Sequence, residues 1–204
     1  MYRYALVASI ATLAASGAAF AHDAGTVLLR AGVAQVSPAS DFNSDKQVAI
    51  GATWMVASHI GIELSTWVQS THKYDYDGSL GSGKFAKVTA TPVTVSAQYF
   101  FLDPKSKLQP YVGLGLNYTF FDAKLAGWAK SRYDVKIDNA FGLAMQVGAD
   151  FGLSDHLFLN ASVSRLEINP YIKSSYSNGT SRESRKGNQD FDPWVYFVGV
   201  GYKF

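Results

Sequence analysis

From Trp194 to Phe204 the chain alternates with a period of two. Trp194, Tyr196, Val198, Val200, Tyr202 and Phe204 occupy even positions, while Val195, Phe197, Gly199, Gly201 and Lys203 occupy odd ones. Successive side chains of a β-strand point to opposite faces, so one face here is wholly apolar and the other carries glycine and a charge. The division recurs from Phe141 to Leu153, where seven apolar odd positions oppose Gly142, Ala144, Gln146, Gly148, Asp150 and Gly152. From Val112 to Phe120, the residues Val112, Leu114, Leu116, Tyr118 and Phe120 oppose Gly113, Gly115, Asn117 and Thr119. Weaker alternation covers Val27 to Val36, Val48 to Val56, Ile60 to Val68, Val93 to Phe101 and Leu157 to Val163, which predicts eight strands in all.

A soluble β-sandwich also alternates, but it needs its large apolar face inward and a charged face outward. Here the face opposite the apolar one is rich in glycine and poor in charge, as lipid outside and a narrow lumen inside require. The expected fold is therefore all-β: an eight-stranded antiparallel transmembrane β-barrel, even-numbered as such barrels are in bacteria. The connections alternate in the same sense. Residues Ala57 to His59, Asp103 to Gln109 and Ser154 to His156 make short turns, whereas Ser37 to Lys46, Lys73 to Lys87, Gly127 to Asp138 and Lys173 to Asp190 are longer and polar. Short turns belong to the periplasmic side, which places both chain ends there. Tyr99, Phe101, Tyr111, Phe151, Phe158, Tyr202 and Phe204 then form an inner aromatic girdle, and Trp128, Tyr133, Phe191 and Trp194 an outer one.

The N-terminus adds a destination. Residues 1–21 read as a secretory signal peptide, with Arg3, an apolar stretch from Ala5 to Leu13 and a small-residue exit at Ala19-Phe20-Ala21. Cleavage there leaves residues 22–204 as one barrel domain in the outer membrane of a Gram-negative bacterium. The chain has no cysteine, which excludes a disulfide framework and thiolate chemistry. Eighteen basic residues stand against 16 acidic ones, a balance that gives no reason to expect nucleic acid as a partner.

Several stretches also look familiar together: His22-Asp23-Ala24-Gly25, Arg30-Ala31-Gly32, His59-Ile60-Gly61-Ile62-Glu63-Leu64, Gln98-Tyr99-Phe100 and Pro110-Tyr111-Val112-Gly113. With Gly115-Leu116-Asn117-Tyr118-Thr119, Asp192-Pro193-Trp194-Val195 and Gly201-Tyr202-Lys203-Phe204, the chain resembles the OmpW family of outer-membrane proteins along its whole mature length. The Pro-Tyr-Val-Gly strand and the Asp-Pro-Trp-Val approach to the last strand are the most specific pieces. The resemblance implies an eight-stranded barrel with a hydrophobic channel, associated with uptake of small apolar molecules.

Parity assigns the lumen separately from that resemblance. Toward the periplasmic end it gathers Arg30, Glu63, Gln98, Tyr111, Asp150 and Lys203, where charges of both signs must be paired. We expect a polar plug of Arg30, Glu63, Gln98, Asp150 and Lys203. Toward the outer end lie Trp67, Phe121 and Phe197, with Ser65 and Ser164 leaving room, which predicts an apolar substrate vestibule; plain filling of a narrow interior is the bland alternative. Pro92 interrupts the fourth predicted strand and lacks a ladder donor, so it is the candidate lateral exit, unless it marks a bulge above the membrane.

The resulting expectation is a channel for small hydrophobic molecules, with outer-membrane lipids, lipopolysaccharide and the outer-membrane assembly machinery as its other partners. The alternatives are a structural or adhesive barrel and a lipid-modifying enzyme. Of four histidines only His72, near Ser70 and Asp75, is placed for catalysis, so no catalytic residue is assigned. The histidines have no metal-ligand spacing, and no cofactor is expected. Arg182, Arg185 and Lys186 form a basic loop that reads as solvated or as a contact for lipopolysaccharide phosphates.

Overall fold

The computed structural model describes residues 22–37, 45–67, 70–78, 81–125, 133–177, 182–188 and 192–204. The elements among them are β1 (Val27–Ser37), β2 (Asp45–Ala57), β3 (Ile60–Trp67), β4 (Ser70–Gly78), β5 (Gly81–Phe100), β6 (Leu108–Leu125), β7 (Tyr133–Ile137), β8 (Ala140–Gly152), β9 (Leu157–Leu166), β10 (Tyr171–Ser177), β11 (Arg182–Asn188) and β12 (Trp194–Lys203). Eight of them close a ring in the order β3-β2-β1-β12-β9-β8-β6-β5, with β5 paired back onto β3. Every junction of the ring is antiparallel. Closure gives each strand two neighbours, which is what a backbone surrounded by hydrocarbon requires.

The apolar parity lies on the outside of this ring. Val198 (67% exposed), Phe141 (64%) and Leu114 (60%) would be anomalous on a soluble surface, but they fit a band solvated by lipid. The inner girdle is present in Tyr99, Phe101, Phe151, Tyr202 and Phe204, with edge-to-face pairs Tyr99–Phe101 and Tyr202–Phe204. Two of its expected members are elsewhere: Tyr111 and Phe158 are buried in the lumen. For Phe158 the reason is register, since Leu157 and Leu159 take the lipid face of β9 and turn Phe158, Asn160 and Ser162 inward.

Three predicted loops contain strand. Within the Lys73 to Lys87 loop, β4 pairs with an upward extension of β5, while β7 and β10–β11 fall within the other two and form a separate three-stranded sheet in the order β11-β10-β7. Their sequences are short and carry charge on alternate positions, as in Tyr133-Asp134-Val135-Lys136-Ile137, unlike the glycine-rich, charge-poor inward faces that mark the membrane strands. Nor does Pro92 interrupt its strand: β5 runs through it, and Pro92 pairs in register with Thr119 of β6. The signal-peptide segment, Trp128 and Phe191 lie outside the described residues, as do the side chains of Tyr133, Ser70, His72, Asp75, Arg182, Arg185 and Lys186.

Phe204 ends the lipid face of the closing seam. Its amide donates to the Val27 carbonyl at 3.0 Å, and its ring, 65% exposed, meets Tyr202. Phe204→Ser removes apolar surface at the place where β12 joins β1. We expect severalfold less assembled protein in outer-membrane fractions, measured by quantitative immunoblot; an unchanged level would remove Phe204 from assembly.

Candidate functional site

The lumen is built in layers, and glycines make room for the lowest. Leu28, Met55, Phe100, Tyr111 and Phe158 form one buried apolar cluster. Phe158 lies over its cross-strand partner Gly201, and Tyr111 over its partner Gly148, so closely that a Cβ on either glycine would collide with the ring. Each ring therefore leans over the neighbouring strand, Phe158 of β9 over β12 and Tyr111 of β6 over β8. Phe100 and Tyr111 meet at 5.1 Å between centroids.

His22 closes this layer from below. It is fully buried, its ring stands edge-to-face against Phe100 with the centroids 4.8 Å apart, and its backbone N donates to the Pro104 carbonyl in the turn between β5 and β6. Burial lowers the pKa of the imidazole to about 4, against the opposing pull of Asp150, so the ring is neutral near pH 7. Its Nε2 stands 3.7 Å from an oxygen of Asp150. His22 opens one of the stretches that carry the family resemblance, but sequence reasoning assigns it no role in the lumen.

Above the rings lies the polar layer. Arg30 donates from Nε and Nη2 to the two oxygens of Asp150 at 3.2 and 2.6 Å, and from Nη1 to Glu63 at 3.2 Å and Thr53 at 2.6 Å. The bidentate fork fixes the guanidinium plane, which stands 5.4 Å from the Tyr111 ring centroid and 5.6 Å from that of Phe158. Gln98 accepts from Thr53 and donates to Gln146, extending the network across the barrel. Arg30, Glu63, Gln98 and Asp150 are thus brought together as expected. Lys203 sits lower, opposite Leu28 at the rim, where Asp155 and Asp23 are its electrostatic partners.

Over the polar layer is a cavity of about 710 Å³ of atom-free space, part of it open to solvent. Trp67, Phe197, Ser65 and Ser164 line it, as parity predicts, while Phe121 packs against the apolar cluster that forms its upper wall. That cluster is mostly small: Ala34, Ala49, Ala140 and Ala144 with Leu166, Ile168 and Val195. Sequence reasoning placed Ala144 on the inward face of its strand but missed Ala34, Ala49 and Ala140, because alanine fits either face. It also missed Asn160 and Ser162, although their alternation with Leu159, Ala161 and Val163 carries the signal.

Pro92 lies in the wall beside the cavity. Its carbonyl accepts from the Thr66 hydroxyl at 2.6 Å and so faces β3. In an extended strand the N–H and C=O of one residue point the same way, hence the donor that proline lacks is missing on the β3 side. The pairing also slips there: Thr66 is opposite Val93 and Ser70 opposite Ala90, four steps on one side against three on the other.

The family model of the OmpW family matches residues 14–204. Outer membrane protein W of Vibrio cholerae is 36% identical over 97% of this chain and 98% of its own, and that of Escherichia coli is 32% identical over the full length of both. Among solved structures, the outer membrane protein OprG from Pseudomonas aeruginosa superposes with a TM-score of 0.80 at 32% identity, covering 92% of this chain and 99% of the other.

Proposed function

The chain belongs to the OmpW family of outer-membrane proteins, and from that footing we propose that it admits small apolar molecules to the outer cavity and releases them sideways into the membrane. The family is one of outer-membrane barrels and not of enzymes. The observation that carries the reading is the order of the layers. An apolar cavity stands on a paired charge layer, and the rings and His22 lie beneath it. A hydrocarbon moving straight down would have to part buried ion pairs that nothing on the hydrocarbon could replace. Sideways it meets a wall one strand thick.

In this reading Trp67, Phe197 and Phe121 strip water from the cargo, Ser65 and Ser164 keep the passage wide, and Arg30, Glu63, Gln98 and Asp150 hold the floor shut. Pro92 is the lateral exit, because the missing donor and the register slip thin the bonding between β5 and its β3–β4 side at one height. Membrane lipid is the immediate receiver. Contacts with lipopolysaccharide and with the assembly machinery belong to the same reading of an outer-membrane barrel.

Whole-cell uptake of a short labelled alkane tests the route. Pro92→Ala is expected to slow uptake while leaving barrel abundance and melting behaviour near wild type, and Phe197→Asp or Trp67→Asp to slow it by making the cavity hydrophilic. Normal transport by Pro92→Ala, together with altered transport when the polar layer is neutralised, would replace the sideways route by a straight one. A structural or adhesive barrel predicts no change in any of these variants.

A further inference from the structure

The floor of the cavity is chemically unlike its walls. Asn160, 2% exposed, lines it beside Arg30 and Glu63. Its Nδ2 donates to Asp150 Oδ1 at 2.6 Å, Tyr111 Oη at 3.1 Å and the Ala149 carbonyl at 3.3 Å. The reversed amide would press Oδ1 against that carboxylate, so these three acceptors fix its orientation. Its Oδ1 is buried and receives no hydrogen bond from the protein. Buried polar atoms are normally satisfied, and an unsatisfied one on the floor of a largely apolar cavity marks a place for a ligand's complementary group.

The neighbouring charges narrow that group. Arg30 spends four N–H bonds on Asp150, Glu63 and Thr53, and two carboxylates share its single positive charge. An anionic head finds no free cation here. An ammonium head would give up its hydration inside a largely apolar cavity, whereas a hydroxyl brings one donor at much smaller cost.

We propose that the cavity takes amphiphiles head down, a neutral hydroxyl donating to Asn160 Oδ1 and the hydrocarbon tail lying against Ala34, Ala144, Trp67 and Phe197. This rests on the uptake reading and names its cargo class: medium-chain alcohols and phenols in preference to acceptor-only or anionic molecules of the same length.

Calorimetric titration of the whole barrel in lipid nanodiscs, corrected with empty nanodiscs, compares 1-octanol with its isomer methyl heptyl ether and with octanoate. The ether accepts hydrogen bonds but cannot donate one. The alcohol is expected to bind at least about tenfold tighter than the ether, the ratio that one 1.4 kcal/mol interaction gives, and octanoate more weakly than the alcohol. Asn160→Leu is expected to bring the alcohol and the ether together; if that variant does not fold, the comparison in the native protein still decides. Equal affinity of alcohol and ether in the native barrel, or tightest binding by octanoate, overturns the hydroxyl head and leaves the uptake reading standing. Binding of none of the three overturns both.

Discussion

Arg30→Met is expected to destabilise the barrel by about 3–5 kcal/mol, the range found when one partner of a buried charge pair is removed. Asp150 loses bonds at 3.2 and 2.6 Å and Glu63 one at 3.2 Å, yet both carboxylates stay enclosed. Asn160, at 2.6 Å, then remains as a donor to Asp150. Urea unfolding in lipid vesicles measures the loss, and a midpoint equal to wild type would show that the layer contributes nothing. Adding Asp150→Asn and Glu63→Gln is expected to restore much of the stability, because the cost lies in the charges left without a partner and not in the absence of the network.

Gly201→Leu is expected to act through volume. The Phe158 ring occupies the space over Gly201, and a leucine there must drive it out of the lower layer. Overpacking of this kind costs about 1–3 kcal/mol and sometimes more. The displaced ring also uncovers the Arg30 side chain from below. Cells carrying the variant are expected to become sensitive to a hydrophilic antibiotic that the native barrel excludes, measured as growth inhibition. Gly187→Leu is the control, since nothing lies within 4 Å of the added carbon. Equal behaviour of the two variants would show that Phe158 has no part in the seal.

The membrane strands could be read from the sequence because lipid enforces one rule on every outward position. Phe141 to Leu153 and Trp194 to Phe204 follow that rule without exception on their outward faces. The lumen was half legible. Parity turned Arg30, Glu63 and Asp150 inward, but Arg30 and Asp150 stand 120 positions apart, and only closure of the ring brings them together. Phe158 was misplaced because an aromatic residue suits a girdle as well as a lumen, and the register of its leucine neighbours decides the matter. The strands of the outer sheet were passed over because they are short and charged, although Tyr133 to Ile137 does alternate. Lys203 was given to the plug by its sign and face, while its height, set by pairing with Leu28, puts it at the rim.

The 20 residues of β5 have one more consequence. At about 3.3 Å per residue and a tilt near 40°, such a strand rises roughly 50 Å, about twice the apolar band of an outer-membrane barrel. The upper part of β5, with β4 and β6 beside it, therefore stands above the shorter ring strands β1, β3, β9 and β12 as a flap in the carbohydrate that coats the outer leaflet. Sugar is a poor solvent for an oily molecule, and it lies between open water and the hydrocarbon beneath. In the proposed uptake, such a flap would offer an oily solute a protein surface to follow through that coat toward the cavity.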